Sequence, residues 1–282
     1  MENKKAIESA IFYVEKFPFI PRREIEVKNR NILLDTLNVL KSDEKLSNIV
    51  EESSKKNLYF TGKFAYGDLE KYEEEAKVFV SKRSTFEAAI AYDGKVCALN
   101  FANFFTPGGG VTYGSTAQEE CLCRTSSLLC NLITKESFEN FYVPHKDFSN
   151  DLANDDIIYS PDVVVVKADN YDLLETPKIV NVITCAAPDI RKIELEKQEL
   201  YEMHYKRGMQ ILKVAAANGN EHVVLGAFGC GVFANDPEVV AEAYHDLIDG
   251  YFRHAFKTIE FAVYCPRPKD TKNYEAFNKF FK

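Results

Sequence analysis

The chain has 282 residues, 46% of them hydrophobic and 28% charged, which is enough for one large α/β domain or two small ones. No apolar run approaches the length of a membrane span, and the opening Met1–Ala6 lacks the apolar core of a secretory signal. A formal net charge of −8 argues against a broad basic surface that tracks DNA, so an anionic ligand has to be held by local groups.

In chain order, residues 1–75 read as a helical accessory region. Ala6, Ile7, Ala10, Ile11 and Val14 recur at helical spacing, and a second helix is predicted from about Arg30 to Lys45. Val50 to Lys56 reads as a polar, solvated stretch, and 57–62 as a short edge strand or loop. Glu70–Ala76 is a charge run suited to a solvated face. From Lys77 onward strands and helices alternate. Val78–Val80 is a strand, Ser84-Thr-Phe-Glu87 a capping box that opens a short helix, and Val96–Phe101 a buried strand.

That strand runs into Asn100-Phe-Ala-Asn103 and then Gly108-Gly-Gly110-Val111. Three consecutive glycines cost backbone entropy and pack nothing, so they suit a loop that passes very close to a ligand or turns its amides onto an acceptor. Thr116-x-x-Glu119 and Ser115-x-x-Gln118 both have capping-box form, which predicts a helix over about 117–131. Glu119 and Glu120 stand in its first turn, where a carboxylate is ordinary because it complements the helix dipole. They project about 100° apart, so only one can point fully into a given pocket.

Residues 132–158 are polar and read as irregular, with Tyr142–Lys146 a loop. Asp162–Val166 and Lys178–Thr184 are buried strands, Leu195–Ala217 a long helix, and Glu221–Leu225 a further strand. This strand enters a second glycine-rich loop, Gly226-Ala-Phe-Gly229-Cys230-Gly231-Val232-Phe233. Asp236 and Pro237 then open a helix as N-cap and first residue. Ile259–Tyr264 is the last strand and Thr271–Phe281 a closing helix. The alternation predicts an α/β sandwich with a mixed, largely parallel sheet, whose ligand lies at the carboxyl ends of the strands. The second loop suits a phosphate held by loop amides, since Asp236 would repel one on the helix axis. A plain strand–helix turn explains its glycines equally well. No GxxxxGK[ST] or GxGxxG is present, which counts against nucleoside triphosphatases and Rossmann dehydrogenases.

Seven cysteines lie mostly inside apolar segments, with no CxxC partner or nearby histidine pair. No metal site is expected, and the thiols read as reduced core residues of a cytoplasmic protein. Cys230 in its glycine loop admits a catalytic role, but small buried filler is the simpler reading.

Asn100-Phe-Ala-Asn103 with Gly-Gly-Gly-Val111 resembles the ADP-ribose-binding motif of macrodomains. Gly108–Gly110, seven residues, then Gln118-Glu119-Glu120 resembles the signature of poly(ADP-ribose) glycohydrolases, and Gly226–Phe233 is similar to the diphosphate loop of their microbial branch. The resemblance covers about Lys77 to Tyr264. One departure is Ala234, where the pattern leads one to expect glycine before Asn-Asp-Pro. The resemblance implies a macrodomain-like three-layer α/β/α fold, with an N-terminal helical extension over 1–75 and a catalytic domain over 76–282. It implies hydrolysis of the ribose–ribose bonds of poly(ADP-ribose), or of an ADP-ribosylated protein, with ADP-ribose as product, no cofactor, and a monomer at work.

Carried over, Glu120 would be the catalytic acid and base, and Glu119 would support it or the ribose. Asn103 would bind the distal ribose, with Gly108, Gly109, Gly110, Val111 and Gln118 also at the substrate. Gly229, Cys230, Gly231 and Val232 would cradle the diphosphate, and Phe233 would pack on the ribose. A non-catalytic ADP-ribose reader and a mono-ADP-ribosyl hydrolase would use the same loops. The paired glutamates argue against a pure reader, which needs no protonatable group there.

Overall fold

The computed structural model describes residues 5–62, 69–147, 152–267 and 271–282. Part of the predicted irregular segment 132–158, namely 148–151, lies outside them, as do 63–68 of the accessory region. Seven strands form one sheet: β1 (Leu58–Phe60), β2 (Lys77–Ser81), β3 (Val96–Phe101), β4 (Ile157–Lys167), β5 (Leu173–Cys185), β6 (His222–Leu225) and β7 (Thr258–Ala262). Their order is β1-β4-β5-β3-β6-β7-β2. The five from β5 to β2 are parallel, and β4 and β1 are antiparallel additions at one edge. The predicted mixed, largely parallel sheet is therefore present.

Both faces of the sheet are covered, which is why its inner strands read as continuous apolar runs. On one face Ala98, Val164, Val182 and Val224 meet helices α1 (Ala6–Lys16), α2 (Glu24–Ser42), α3 (Glu44–Lys55), α5 (Gln118–Thr125) and α6 (Leu128–Leu132). On the other, Leu99, Ile183, Val223 and Phe261 meet α9 (Lys197–Ala217), α10 (Pro237–Leu247) and α11 (Thr271–Phe280). The remaining helices α4 (Thr85–Ala89), α7 (Lys135–Ser137) and α8 (Val143–Asp147) are short.

The sequence expectations need correction in four places. The second helix starts earlier, at Glu24, and ends at Ser42; Asp43 then caps a new helix by accepting the Leu46 N–H at 3.0 Å. The stretch from Val50 to Lys56 belongs largely to that helix, with Val50 and Ser53 buried rather than solvated. The helix predicted over 117–131 is two. Ser126 is extended and bridges Val165, and Ser127 donates its N–H to Val164 O at 2.9 Å, so β4 claims the two serines that would have continued the helix. Finally, 135–147 is helical, and Tyr142–Lys146 is not a loop. Phe138, Phe141, Tyr142 and His145 recur at helical spacing and point into the core.

The capping box at Ser84–Glu87 forms as expected, and Asp236 caps α10 by accepting the Glu238 N–H at 3.0 Å. The two boxes predicted at 115–119 do not form. Ala117 is the N-cap of α5, and the side chains of Gln118 and Glu119 serve β3 and the glycine loop instead.

Candidate active site

Strand β3 delivers the first loop and the neighbouring parallel strand β6 the second, so both leave the same edge of the sheet. The loop after β5 lies against the second. The Ile190 N–H donates to Phe233 O at 3.2 Å, and a Cβ built on Gly229 would stand 2.7 Å from Ala187 Cβ. Phe104 of the first loop meets Phe233 of the second, ring centroids 6.2 Å apart, and His145 of α8 at 5.8 Å. Three strand ends and one helix thus come together at one edge of the sheet, where an open α/β sheet leads one to expect a ligand.

Under the first loop stand the two glutamates, both buried, at 3% and 7% exposure. Glu119 is fully engaged. Its Oε2 accepts the Asn103 N–H at 2.8 Å and its Oε1 the Asn100 amide at 3.2 Å. Glu120 Oε1 accepts the Gly110 N–H at 2.7 Å, whereas Oε2 is buried and bonds to no described residue. Burial raises the Glu119 carboxyl to about 8, and the Glu120 charge adds to it; the amides of Asn103, Asn100 and Gly108 pull the other way.

The glycines divide by task. Gly109 has φ +56°, and a Cβ there would lie 2.6 Å from Glu120 Oε1 and 3.1 Å from Glu119 Oε2. A Cβ on Gly110 would run into the Ser115 hydroxyl. These two residues let the backbone lie directly on the carboxylates. Gly108 and Val111 face inward instead. A Cβ on Gly108 would touch Leu129 and the Val111 side chain at 3.0 Å, and Val111 is a fully buried core residue. Their side-chain directions therefore lie under the loop, and only their backbone is left to face a ligand.

Gln118 uses its side chain within the protein. Its carbonyl accepts the Phe101 N–H at 2.9 Å, and its amide donates to Leu99 O at 2.7 Å and Thr85 Oγ1 at 3.1 Å. It ties α5 to the end of β3. Asn103 folds its Oδ1 back onto the N–H groups of Phe105 and Thr106, both at 2.9 Å, which leaves Nδ2 for a ligand.

In the second loop, the N–H groups of Gly231, Val232 and Phe233 donate to no described residue. Nothing lies within 4 Å of a Cβ built on Gly231, and Val232 is 63% exposed. Successive free amides of this kind form an anion cradle. Gly226 is different: a Cβ there would strike Ala262 O and Phe101, so it serves close packing. The Cys230 thiol leans on Phe228 O at 3.6 Å, and burial pushes its pKa up, which does not suit a nucleophile. Arg191 lies over the Phe233 ring, 5.8 Å from its centroid, and pairs with Asp189. Ala234, the position where glycine was expected, has φ +61°, the left-handed conformation that glycine adopts without strain.

Sequence reading missed the supports. Asn100 is buried, donating to Glu119 and to Thr184 Oγ1 at 3.2 Å. Arg124, wholly buried, holds Ser115 O, Cys121 Sγ and Tyr171 Oη. Asn29 on α2 donates to Gly114 O at 2.8 Å, and Arg30 to Thr112 O at 3.3 Å. The only visible sign was a polar residue inside an apolar run, at Asn100.

A family model described as the microbial-type PARG catalytic domain matches residues 33–168. A solved structure of poly(ADP-ribose) glycohydrolase from Thermomonospora curvata is 30% identical at a TM-score of 0.78, covering 90% of this chain and 99% of its own. That organism's enzyme bound to the inhibitor ADP-HPD is 31% identical, TM-score 0.78, with 89% and 98% covered. The Deinococcus radiodurans enzyme in complex with ADP-ribose is 30% identical, TM-score 0.72, with 82% and 96% covered. No curated protein matches the sequence. With this coverage at 30% identity, the chain belongs to the microbial-type poly(ADP-ribose) glycohydrolase family.

Proposed function

We propose that the chain hydrolyses the ribose–ribose O-glycosidic bonds of poly(ADP-ribose) and releases ADP-ribose, with Glu120 as acid and then base. The observation that carries this reading is Glu120 itself. One oxygen is fixed by the Gly110 amide and the other is buried with no partner among the described residues. A carboxyl left half-satisfied in a dry site costs free energy that a purely structural role would not repay.

The step balances simply. Glu120 donates its proton to the leaving 2′-oxygen as the C–O bond breaks, and the bonding pair goes to that oxygen. The sugar becomes oxocarbenium-like. Water adds to the anomeric carbon, and its proton returns to Glu120. Glu119 is the positioning partner. It holds the Asn103 N–H and the Asn100 amide, and so fixes the start of α5 on which Glu120 stands. Gly109 and Gly110 allow the ribose to approach the carboxylates, and Asn103 Nδ2 is available to its hydroxyls. The free amides of 231–233 receive the diphosphate, and Phe233 packs on the ribose beside it.

We take the working unit to be a monomer. The seven cysteines are all free, which fits the reducing cytoplasm. No described helix is long and apolar enough to cross a membrane. We place the catalytic machinery in 76–282 and treat the helices before it as the brace of the first loop. The test is digestion of purified poly(ADP-ribose) followed by chromatography. Free ADP-ribose is the expected product; polymer that stays intact while ADP-ribose still binds would instead make the protein a reader.

A further inference from the structure

The second loop is closed at its base by one side chain. Asn235, only 2% exposed, directs its Nδ2 at three carbonyl oxygens: Pro188 at 2.8 Å, Gly229 at 3.0 Å and Phe233 at 3.2 Å. Only the NH2 end of an amide can serve three acceptors, so its orientation is settled. Its Oδ1 therefore faces His204 Nε2, 2.7 Å away, and that nitrogen carries the hydrogen. His204 sits on α9, wholly buried, with its ring edge-on to Phe228. Its Nδ1 is bare and bonds to no described residue, and burial beside Arg207 keeps the ring neutral, with a pKa lowered to about 4.

The clasp decides which way the loop amides face. With the carbonyls of Gly229 and Phe233 drawn inward, Gly231 O is left to accept the Ala234 N–H at 3.2 Å, and Cys230 O to accept the Asn273 amide at 3.4 Å. N–H and C=O point opposite ways across a trans peptide. The Val232 and Gly231 N–H groups thereby point away from those donors, and Val232 is exposed.

We propose that His204 is a positioning residue for this loop: by donating Nε2–H to Asn235 it fixes the amide that clamps both ends of Gly229–Phe233, and so sets the affinity for a diphosphate it never touches. The proposal rests on the reading of this loop as the diphosphate cradle. A neutral ligand fragment without phosphates, such as adenosine, should not sense it.

The test is calorimetric titration of ADP-ribose and of adenosine into wild type, His204→Phe and His204→Gln, with steady-state kinetics on the polymer. Phenylalanine keeps the ring packing and removes the N–H; glutamine restores a donor. The His204→Phe variant should bind ADP-ribose roughly tenfold more weakly, as loss of one buried hydrogen bond allows. Its adenosine affinity should be unchanged, KM should rise with kcat within about twofold, and His204→Gln should recover most of the loss.

Equal weakening toward both ligands, or no weakening in His204→Phe, overturns the proposal while leaving the loop assignment in place. Wild type that binds ADP-ribose no tighter than adenosine overturns the loop assignment, and the proposal with it. Should His204→Phe prove insoluble, His204→Met carries the same test, since its uncharged thioether cannot donate to Asn235 Oδ1.

Discussion

Glu119 and Glu120 are neighbours on one turn of α5 and meet different surroundings. Glu119 is buried among donors and still has its pKa raised to about 8, because desolvation and the adjacent charge outweigh the hydrogen bonds it accepts. This has a consequence for stability. Above about pH 4.5 the unfolded chain has lost this proton, while the native state keeps it until about pH 8. Stability should therefore fall as pH rises through that window, by at most about 1.4 kcal/mol per pH unit. Thermal midpoints measured from pH 5 to 8.5 should drop in wild type and stay flatter in Glu119→Gln; parallel curves would contradict the assignment.

Gly109 offers a sharper residue-scale test. Alanine there would combine a positive φ with a Cβ placed 2.6 Å from Glu120 Oε1. Gly109→Ala should lower kcat/KM by roughly a hundredfold or more, with a stability loss of only about 1–3 kcal/mol. Near-wild-type kinetics would show that the carboxylates do not need the bare backbone above them.

At the scale of elements, the N-terminal helices are the largest surprise. Their apolar spacing was plain in the sequence, but their task was not. Asn29 and Arg30 on α2 hold carbonyls of the first glycine loop 85 and 82 residues away, and a Cβ on Gly114 would collide with the Glu26 backbone. Tyr13 on α1 stands close enough to Glu119 for its hydroxyl to be pushed up to about 12, by burial first and that charge second. Periodicity reports which face of a helix is buried and not against what.

Asn29→Ala would leave Gly114 O unpaired inside the protein, and should cost about 1–3 kcal/mol with a rise in KM. Urea denaturation and kinetics on the same sample measure both; an unchanged KM would separate α2 from the site. The break in the predicted helix over 117–131 has the same origin. Ser126 and Ser127 look helix-compatible locally, and only their pairing with β4 ends the helix. Gln118 and Glu119 also look like ordinary capping residues, and tertiary partners redirect them.

For the molecule as a whole, six of the seven strands were visible as apolar runs, the first, at 58–60, was left open between edge strand and loop, and the two glycine loops showed as interruptions of them. The strand order was not, because it depends on which runs become neighbours across the chain. That order supplies the function. β5, β3 and β6 are adjacent and parallel, so the loops after Cys185, Phe101 and Leu225 emerge side by side. The antiparallel pair β4 and β5 extends the sheet beyond them and carries the segment that splits α5 from α6. The pieces of the site were thus legible as motifs, and their supports were not, since buried asparagines, a buried arginine and a buried histidine leave no pattern in one dimension.

One measurement bears on the centre of the account. Purified wild type and Glu120→Gln are each incubated with poly(ADP-ribose), released ADP-ribose is quantified, and ADP-ribose binding is titrated on the same samples. Wild type should release ADP-ribose, and the variant should lose at least about 4 kcal/mol of transition-state stabilisation, roughly a thousandfold in rate, with binding within a few fold. A variant that turns over polymer like wild type would contradict the role of Glu120 as the proton donor.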